Sequence, residues 1–258
     1  MYQIDCSKIC TGIRVQSTSD TSRFAELEFV FQPIQHSTTE DLVAYELLSK
    51  VLSQSGDCYE NSDFFEDVDN ELIKKIVVAQ VQFINKMFTE QSHLISLNIT
   101  FDCLLDSEFV DSVIEQSSRT IAFEVNSTTF ESMNDCVLRN LAKLRRAGHQ
   151  LWLDDFSIEH STASSTFGHL VWDSIKIDRC YLFDNALYPN KISSDILKLK
   201  PHTKNGVIFD GVETELHYQY LRHSEISLQG YLISYPLDWH SIDRTKTDKK
   251  QEVGCGYW

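Results

Sequence analysis

The sequence predicts a closed (β/α)8 barrel, an α/β fold, and three observations carry that expectation. Short apolar runs of strand length alternate with longer stretches of helical spacing from about residue 69 onward. Such alternation implies parallel strands joined by right-handed crossovers. The strands number about eight in a chain of 258 residues, close to the ~250 residues of a typical barrel. No linker divides the chain. One barrel domain is expected over residues 26–243, with an N-terminal extension over 1–25 and a polar tail over 244–258.

Taken in order, residues 1–25 are polar, rich in Ser and Thr, and show no period; at most one short packed segment is expected there. Glu28 to Ile34 reads as a strand that Pro33 ends or places at an edge. Leu42 to Leu48 is a second strand, and the short polar turn between them predicts an antiparallel hairpin. Residues 53–67 are acidic and loop-like. Asp69 to Glu90 carries helical spacing through Leu72, Ile73, Ile76, Val77, Val81, Phe83 and Ile84. Strands follow at His93 to Thr100, Thr120 to Val125, Gln150 to Phe156, Ser174 to Asp178, Asn205 to Asp210 and Ser227 to Ile233. Helices fall at Ser107 to Ser118, Asn134 to Ala147, Ser193 to Leu199 and Glu213 to Arg222, with a loop or short helix over His160 to Leu170. Gly148 is the expected residue just past a helix whose last turn is basic.

The charge balance narrows the function. A formal net charge of −15 repels polyanions and argues against a duplex DNA or RNA binder. A small phosphate ligand held through metal ions stays compatible with it, because bound cations invert the local field. The 7 cysteines are odd in number and form no CxxC pair, which disfavours a disulfide framework or a zinc site and predicts a reducing, cytoplasmic setting. No signal-type segment opens the sequence, and no apolar run approaches the ~20 residues of a membrane span.

The chemistry is concentrated at strand ends, where a barrel of this kind carries its active site. In Leu151-Trp152-Leu153-Asp154-Asp155-Phe156 an apolar run ends in two carboxylates. They start on opposite faces of the strand and share a cavity only if the chain bends. Two adjacent acids repel unless a proton or a cation intervenes. The other strand ends carry Glu46, Asn98, Glu124, Lys176, Asp210 followed by Glu213, and Gln229. Taken singly, each has an ordinary structural explanation: a helix cap for the aspartates, a solvated strand residue for Glu46, an exposed lysine for Lys176. Taken together they form a rim of oxygen donors without His or Cys, which points to magnesium or manganese rather than zinc or copper. So many acids call for more than one cation, and a metal pair is the usual device for phosphodiester cleavage.

These stretches resemble the EAL domain, the bacterial phosphodiesterase domain for cyclic di-GMP. The matching segments are Gln32-Pro33-Ile34, Tyr45-Glu46-Leu47-Leu48, Ser96-Leu97-Asn98, Phe123-Glu124-Val125, Leu153-Asp154-Asp155-Phe156, Ile175-Lys176-Ile177-Asp178-Arg179, Gly211-Val212-Glu213-Thr214 and Gln229-Gly230-Tyr231-Leu232. Any one is weak; eight in order over residues 26–240 are specific. The resemblance implies a TIM-like barrel whose first strand runs antiparallel. It implies that cyclic di-GMP is cleaved to linear pGpG with two Mg2+ or Mn2+ ions. Glu46, Asn98, Glu124 and Asp154 would hold one ion, Asp154 and Asp155 the other, with Asp210 among the ligands. Lys176 would orient the attacking water, Glu213 would support catalysis at the rim, and Gln32, Leu48, Lys50, Asp178 and Gln229 would contact the nucleotide. It also implies a homodimer built through the loop after Asp155.

Four departures from the family pattern set up an alternative. The family's Glu-Gly-Val-Glu is Asp210-Gly211-Val212-Glu213. Its second Glu in Glu-x-x-Glu is Ser127. Its Phe-Gly-Thr-Gly loop is Phe156-Ser157-Ile158-Glu159. Its phosphate-binding Arg is Lys50, which keeps charge but loses the bidentate fork. They predict either weakened hydrolysis or a protein that binds cyclic di-GMP or a protein partner without cleaving it.

Overall fold

In the computed structural model, described here for residues 2–5, 10–20, 22, 24–58, 64–65, 68–88, 93–126, 135–158, 162–168, 170–185 and 188–245, the chain forms one continuous sheet that closes on itself. After β1 (Tyr2–Asp5) and β2 (Gly12–Ser17) come β3 (Phe24–His36) and β4 (Leu42–Leu52), which pair antiparallel from Glu26↔Leu52 onward. From β4 the sheet runs parallel through β5 (Leu94–Ile99), β6 (Ile121–Asn126), β7 (Gln150–Phe156), β8 (Ser174–Ile177), β9 (Val207–Phe209) and β10 (Ser227–Leu228). Strand β10 then pairs antiparallel with β3 through Ser227↔His36. Eight strands, β3 to β10, therefore make the TIM-like barrel, and the first of them runs against the rest, as the hairpin reading implied.

Helices cover the outside: α1 (Asn70–Met87), α2 (Phe101–Leu105), α3 (Ser107–Gln116), α4 (Asp135–Arg146), α5 (Arg179–Asn185), α6 (Pro189–Leu199), α7 (Glu215–Leu221) and α8 (Trp239–Thr245). Local chemistry sets their ends. The Asp69 carboxylate accepts from the Leu72 amide to cap α1. Gly148, at φ +91°, ends α4 in the left-handed region where a side chain is strained. The main core lies between the helices and the outward faces of the strands, with Phe29, Phe31, Leu47, Leu97, Phe123, Leu153, Ile175 and Phe209 among its fully buried members. A second, smaller cluster of Ile34, Ala44, Ala122, Trp152 and Ile208, with Leu94 against it, lies apart from that core. Each of these residues is an even number of positions from a polar rim residue on its own strand or at its end: Ile34 from Gln32, Ala44 from Glu46, Leu94 from Asn98, Ala122 from Glu124, Trp152 from Asp154 and Ile208 from Asp210. Residues two apart share a face of a strand, so this cluster fills the barrel interior below the polar strand ends.

Several details differ from the sequence expectation, among them the short helices α2, α5 and α8, where no helix was expected. The segment read as an N-terminal extension contributes β1 and β2, which add to the outer edge of β3 and bury Ile13 and Val15 in the main core. The last strand, expected to reach Ile233, stops at Leu228. The chain turns at Gly230 (φ +149°), where an added Cβ would sit 2.3 Å from the Val212 backbone nitrogen, and the amides of Ile233 and Ser234 both return to the Gly230 carbonyl. Helix α6 begins at Pro189 rather than Ser193, with proline in the first turn where its missing N–H costs nothing. The stretch from 160 to 170 holds a 3-10 turn, Thr162–Gly168. Ser127, residues 159–161 of the altered loop and the tail from 246 lie outside the described residues. No helix among the described residues is long and apolar enough to cross a membrane.

Candidate active site

Period-two alternation puts Glu46, Ser96 with Asn98, Glu124 with Asn126, Asp154 and Lys176 on the inner faces of β4 to β8. The parallel register aligns them: Glu46 faces Ser96, Asn98 faces Glu124, and Asn126 faces Asp154. The centre of the resulting constellation is an ammonium group. Lys176 Nζ lies 2.9 Å from Glu46 Oε2, 2.6 Å from Glu124 Oε2 and 3.4 Å from Asp154 Oδ1. It is only 2% exposed, so the solvated-lysine alternative is wrong for this position. Asn98 Nδ2 donates to Glu46 Oε1 at 2.8 Å, and Gln229 Nε2 donates to Glu46 Oε2 at 2.6 Å. Gln229 also donates to Gln32 Oε1, and Gln32 donates to the Ser234 carbonyl, so the antiparallel strand is tied to the same network.

Asp155 joins this mouth through a backbone irregularity. Its φ is +51°, and the β7–β8 register slips between Leu153 and Phe156. A non-glycine residue in that region costs about 1–3 kcal/mol, and such positions concentrate at functional sites. The bend supplies what two consecutive strand residues lack, a way to aim both carboxylates at one side. Asn126 Nδ2 donates to Asp155 Oδ2 at 2.6 Å. Sequence reasoning gave Asn126 no role, although its two-residue offset from Glu124 was the available signal. It also passed over Ser96, whose buried hydroxyl has no hydrogen-bond partner among the described residues.

The electrostatics are those of an acid-rich, largely buried site. Burial works to raise the Glu46 carboxyl, but the Lys176 charge and the bonds from Gln229, Lys176 and Asn98 outweigh it and hold Glu46 below the usual carboxylate range. Glu124 goes the other way. It is fully buried, and burial with repulsion from Glu46 pushes it well above that range despite its short bond to Lys176. Burial also raises Asp154, partly offset by Lys176, and it lifts Asp155 to about 7 with help from the Asp154 charge. Asp210, half-buried at the end of β9, is raised by burial and by Glu46, against the pull of Lys176. Burial would lower Lys176, yet Asp154, Glu124, Glu46 and Asp210 keep it firmly protonated.

The remaining expected site residues stand further out. Lys50 is exposed and pairs across the hairpin with Glu28 at 3.6 Å, and Leu48 is half-buried on the same strand. Asp178 accepts from the Cys180 amide at the start of α5, and its charge adds to that at Asp155. Glu213 is exposed, outside the bonded cluster, and its charge acts on His217.

The donor set suits a hard divalent cation. It is made of carboxylate and amide oxygens, five acids face one ammonium, and Glu124 Oε1 is buried with no partner among the described residues. Among the described residues no three His, Cys, Asp or Glu side chains converge as a closed metal cage; the lysine ammonium holds the point of convergence instead.

The family model described as the EAL domain matches residues 16–236. The chain belongs to the EAL domain family. Among its relatives, PdeI of Escherichia coli strain K12, named as a probable cyclic di-GMP phosphodiesterase, is 23% identical over 236 residues, which is 85% of this chain and 30% of PdeI. The chain spans less than a third of the length of the curated relatives it matches. Among the solved structures that share the fold are the following two. The EAL enzyme Bd1971, solved with cAMP and cyclic di-GMP bound, superposes with a TM-score of 0.72 at 18% identity, over 85% of this chain and 64% of that one. BlrP1 of Klebsiella pneumoniae, solved with cyclic di-GMP in the presence of manganese or calcium, gives a TM-score of 0.66 with the manganese form at 20% identity, over 82% of this chain and 56% of that one. The EAL domain is thus the barrel itself, and the acid-rich mouth lies at the C-terminal ends of its strands.

Proposed function

We propose that this EAL domain hydrolyses cyclic di-GMP to linear pGpG with the help of two divalent cations, magnesium or manganese. The observation that carries this reading is the gathering of Glu46, Glu124 and Asp154 on the buried Lys176 ammonium, with Asp155 bent toward the same mouth. When bound, the cations would supply Lewis-acid polarisation of the phosphodiester and a low-pKa water. The protein's own residues do the rest. Glu46, Asn98, Glu124 and Asp154 would hold one cation, and Asp154, Asp155 and Asp210 the other. Lys176 would orient the attacking water and offset charge developing at phosphorus. Asn98 and Gln229 bond Glu46 in place, and Gln32 in turn accepts from Gln229. Leu48, Lys50 and Asp178 would contact the nucleotide, and Glu213 would act at the edge of the mouth. The odd cysteine count favours the reducing cytoplasm as the setting, and the loop after Asp155 would form a homodimer contact.

A second reading, a regulator that binds cyclic di-GMP or a protein without cleaving it, is favoured by one observation: Lys50, where the family pattern has a phosphate-binding Arg, is exposed and paired with Glu28. A chromatographic assay separates the two. Purified protein is incubated with cyclic di-GMP and Mg2+ or Mn2+, with Glu46→Ala as control. The proposal expects pGpG from the wild type alone. No product, combined with tight nucleotide binding in calcium, would overturn it in favour of the regulator.

A further inference from the structure

Asn126 is the last residue of β6 and the register partner of Asp154. It lies on the inner face with Glu124, two residues earlier. Its amide nitrogen reaches past Asp154 to Asp155 Oδ2 at 2.6 Å. The residue it grips is the one with positive φ, at the point where β7 and β8 lose register. A strained residue persists only where its surroundings over-determine it, and a bond from a neighbouring strand is such a constraint. The donor comes from a strand with Ile121 to Val125 fully buried, so it is anchored to a rigid element. A carboxylate free to rotate makes a poor ligand; one held by an outer hydrogen bond is pre-aimed.

We propose that Asn126 is a positioning residue that fixes the Asp155 carboxylate for the second of the two divalent cations. This rests on the phosphodiesterase reading above. Asn126 bonds the Asp155 carboxylate itself, so its effect is read on cation binding before any turnover. The two cations should differ in their response, because Glu46 and Glu124 are held by Lys176, Asn98 and Gln229, none of which needs Asn126.

The test is a calorimetric manganese titration of metal-stripped protein without substrate, run on wild type and Asn126→Leu, which keeps the shape and removes the donor. The wild type is expected to bind two ions. Asn126→Leu is expected to bind one with wild-type affinity and the other about 10- to 100-fold more weakly. Asn126→Thr, β-branched and suited to a strand end, serves if the leucine variant does not fold. Two ions bound as in wild type would overturn the proposal, and so would equal weakening of both together with a lower melting temperature, which marks a merely structural bond. A wild type that binds no manganese would refute the phosphodiesterase reading and this inference with it, so the two failures are distinguishable.

Discussion

Lys176 and Asp210 show how single side chains tune this site. Lys176 sits between Ile175 and Ile177, and alternation alone leaves open whether it faces water or the barrel interior. Closure of the barrel decides it, because the inner face of β8 has no access to solvent except through the mouth. By its resemblance to the family pattern, Asp210 stands where a glutamate, one methylene longer, is expected. Asp210→Glu is expected to raise turnover measured by pGpG release; an unchanged or lower rate would mean that the site is built around aspartate. Asp155 gives a pH signature. Its folded pKa of about 7 exceeds the ordinary 3.8, so in the metal-free protein the ionised form is penalised by folding. That penalty is absent below about 4, grows as pH rises toward 7 and is complete above it. Asp155→Asn lacks it. In chelator, the melting temperature of Asp155→Asn relative to wild type is therefore expected to climb between pH 4 and 7 and then level off. A flat difference across that range would show that Asp155 is not buried against its neighbours.

At the scale of elements, periodicity made most of the barrel legible. Strand β7 matches its expected bounds residue for residue, and α1 differs only at its ends, because both carry strong apolar patterns. The misses have physical causes. Strand β10 ends at two residues because Gly230 takes a conformation that the apolar run Tyr231-Leu232-Ile233 does not reveal. Strands β1 and β2 escaped notice because their apolar residues are few and β2, on which β1 pairs, is itself held by the 13-residue β3 further along the chain. The bend at Asp155 was anticipated as a need, but no residue type announces it. Ile13 tests the importance of the N-terminal ribbon. It is 1% exposed within the main core, so Ile13→Ala should cost about 2–5 kcal/mol by denaturant unfolding. A loss near zero would return residues 1–25 to the status of a dispensable extension.

For the whole molecule, charge is the dominant property. A net charge of −15 opposes compaction, and five acids concentrate part of it at one mouth. Cations that bind there should stabilise the entire fold by mass action, by about 2.7 kcal/mol at a hundredfold excess over Kd. For a chain of this size that corresponds to roughly 5–10 °C in melting temperature. Manganese is expected to produce such a rise in the wild type and little in Asp154→Ala, read by differential scanning calorimetry. Equal rises in both would locate the ions elsewhere.

The buried ammonium also decides how the molecule meets changing ionic strength. Exposed pairs such as Lys143 with Asp111 sit in solvent, where physiological salt screens charge over ~8 Å. Lys176 and its three carboxylate partners are largely buried, so salt in the medium screens their attraction much less. Adding salt therefore loosens the outer charge pattern and relieves the surplus of negative charge, while the internal counter-ion keeps its hold. The ion pairs at the acid-rich centre thus outlast the surface pairs as ionic strength rises.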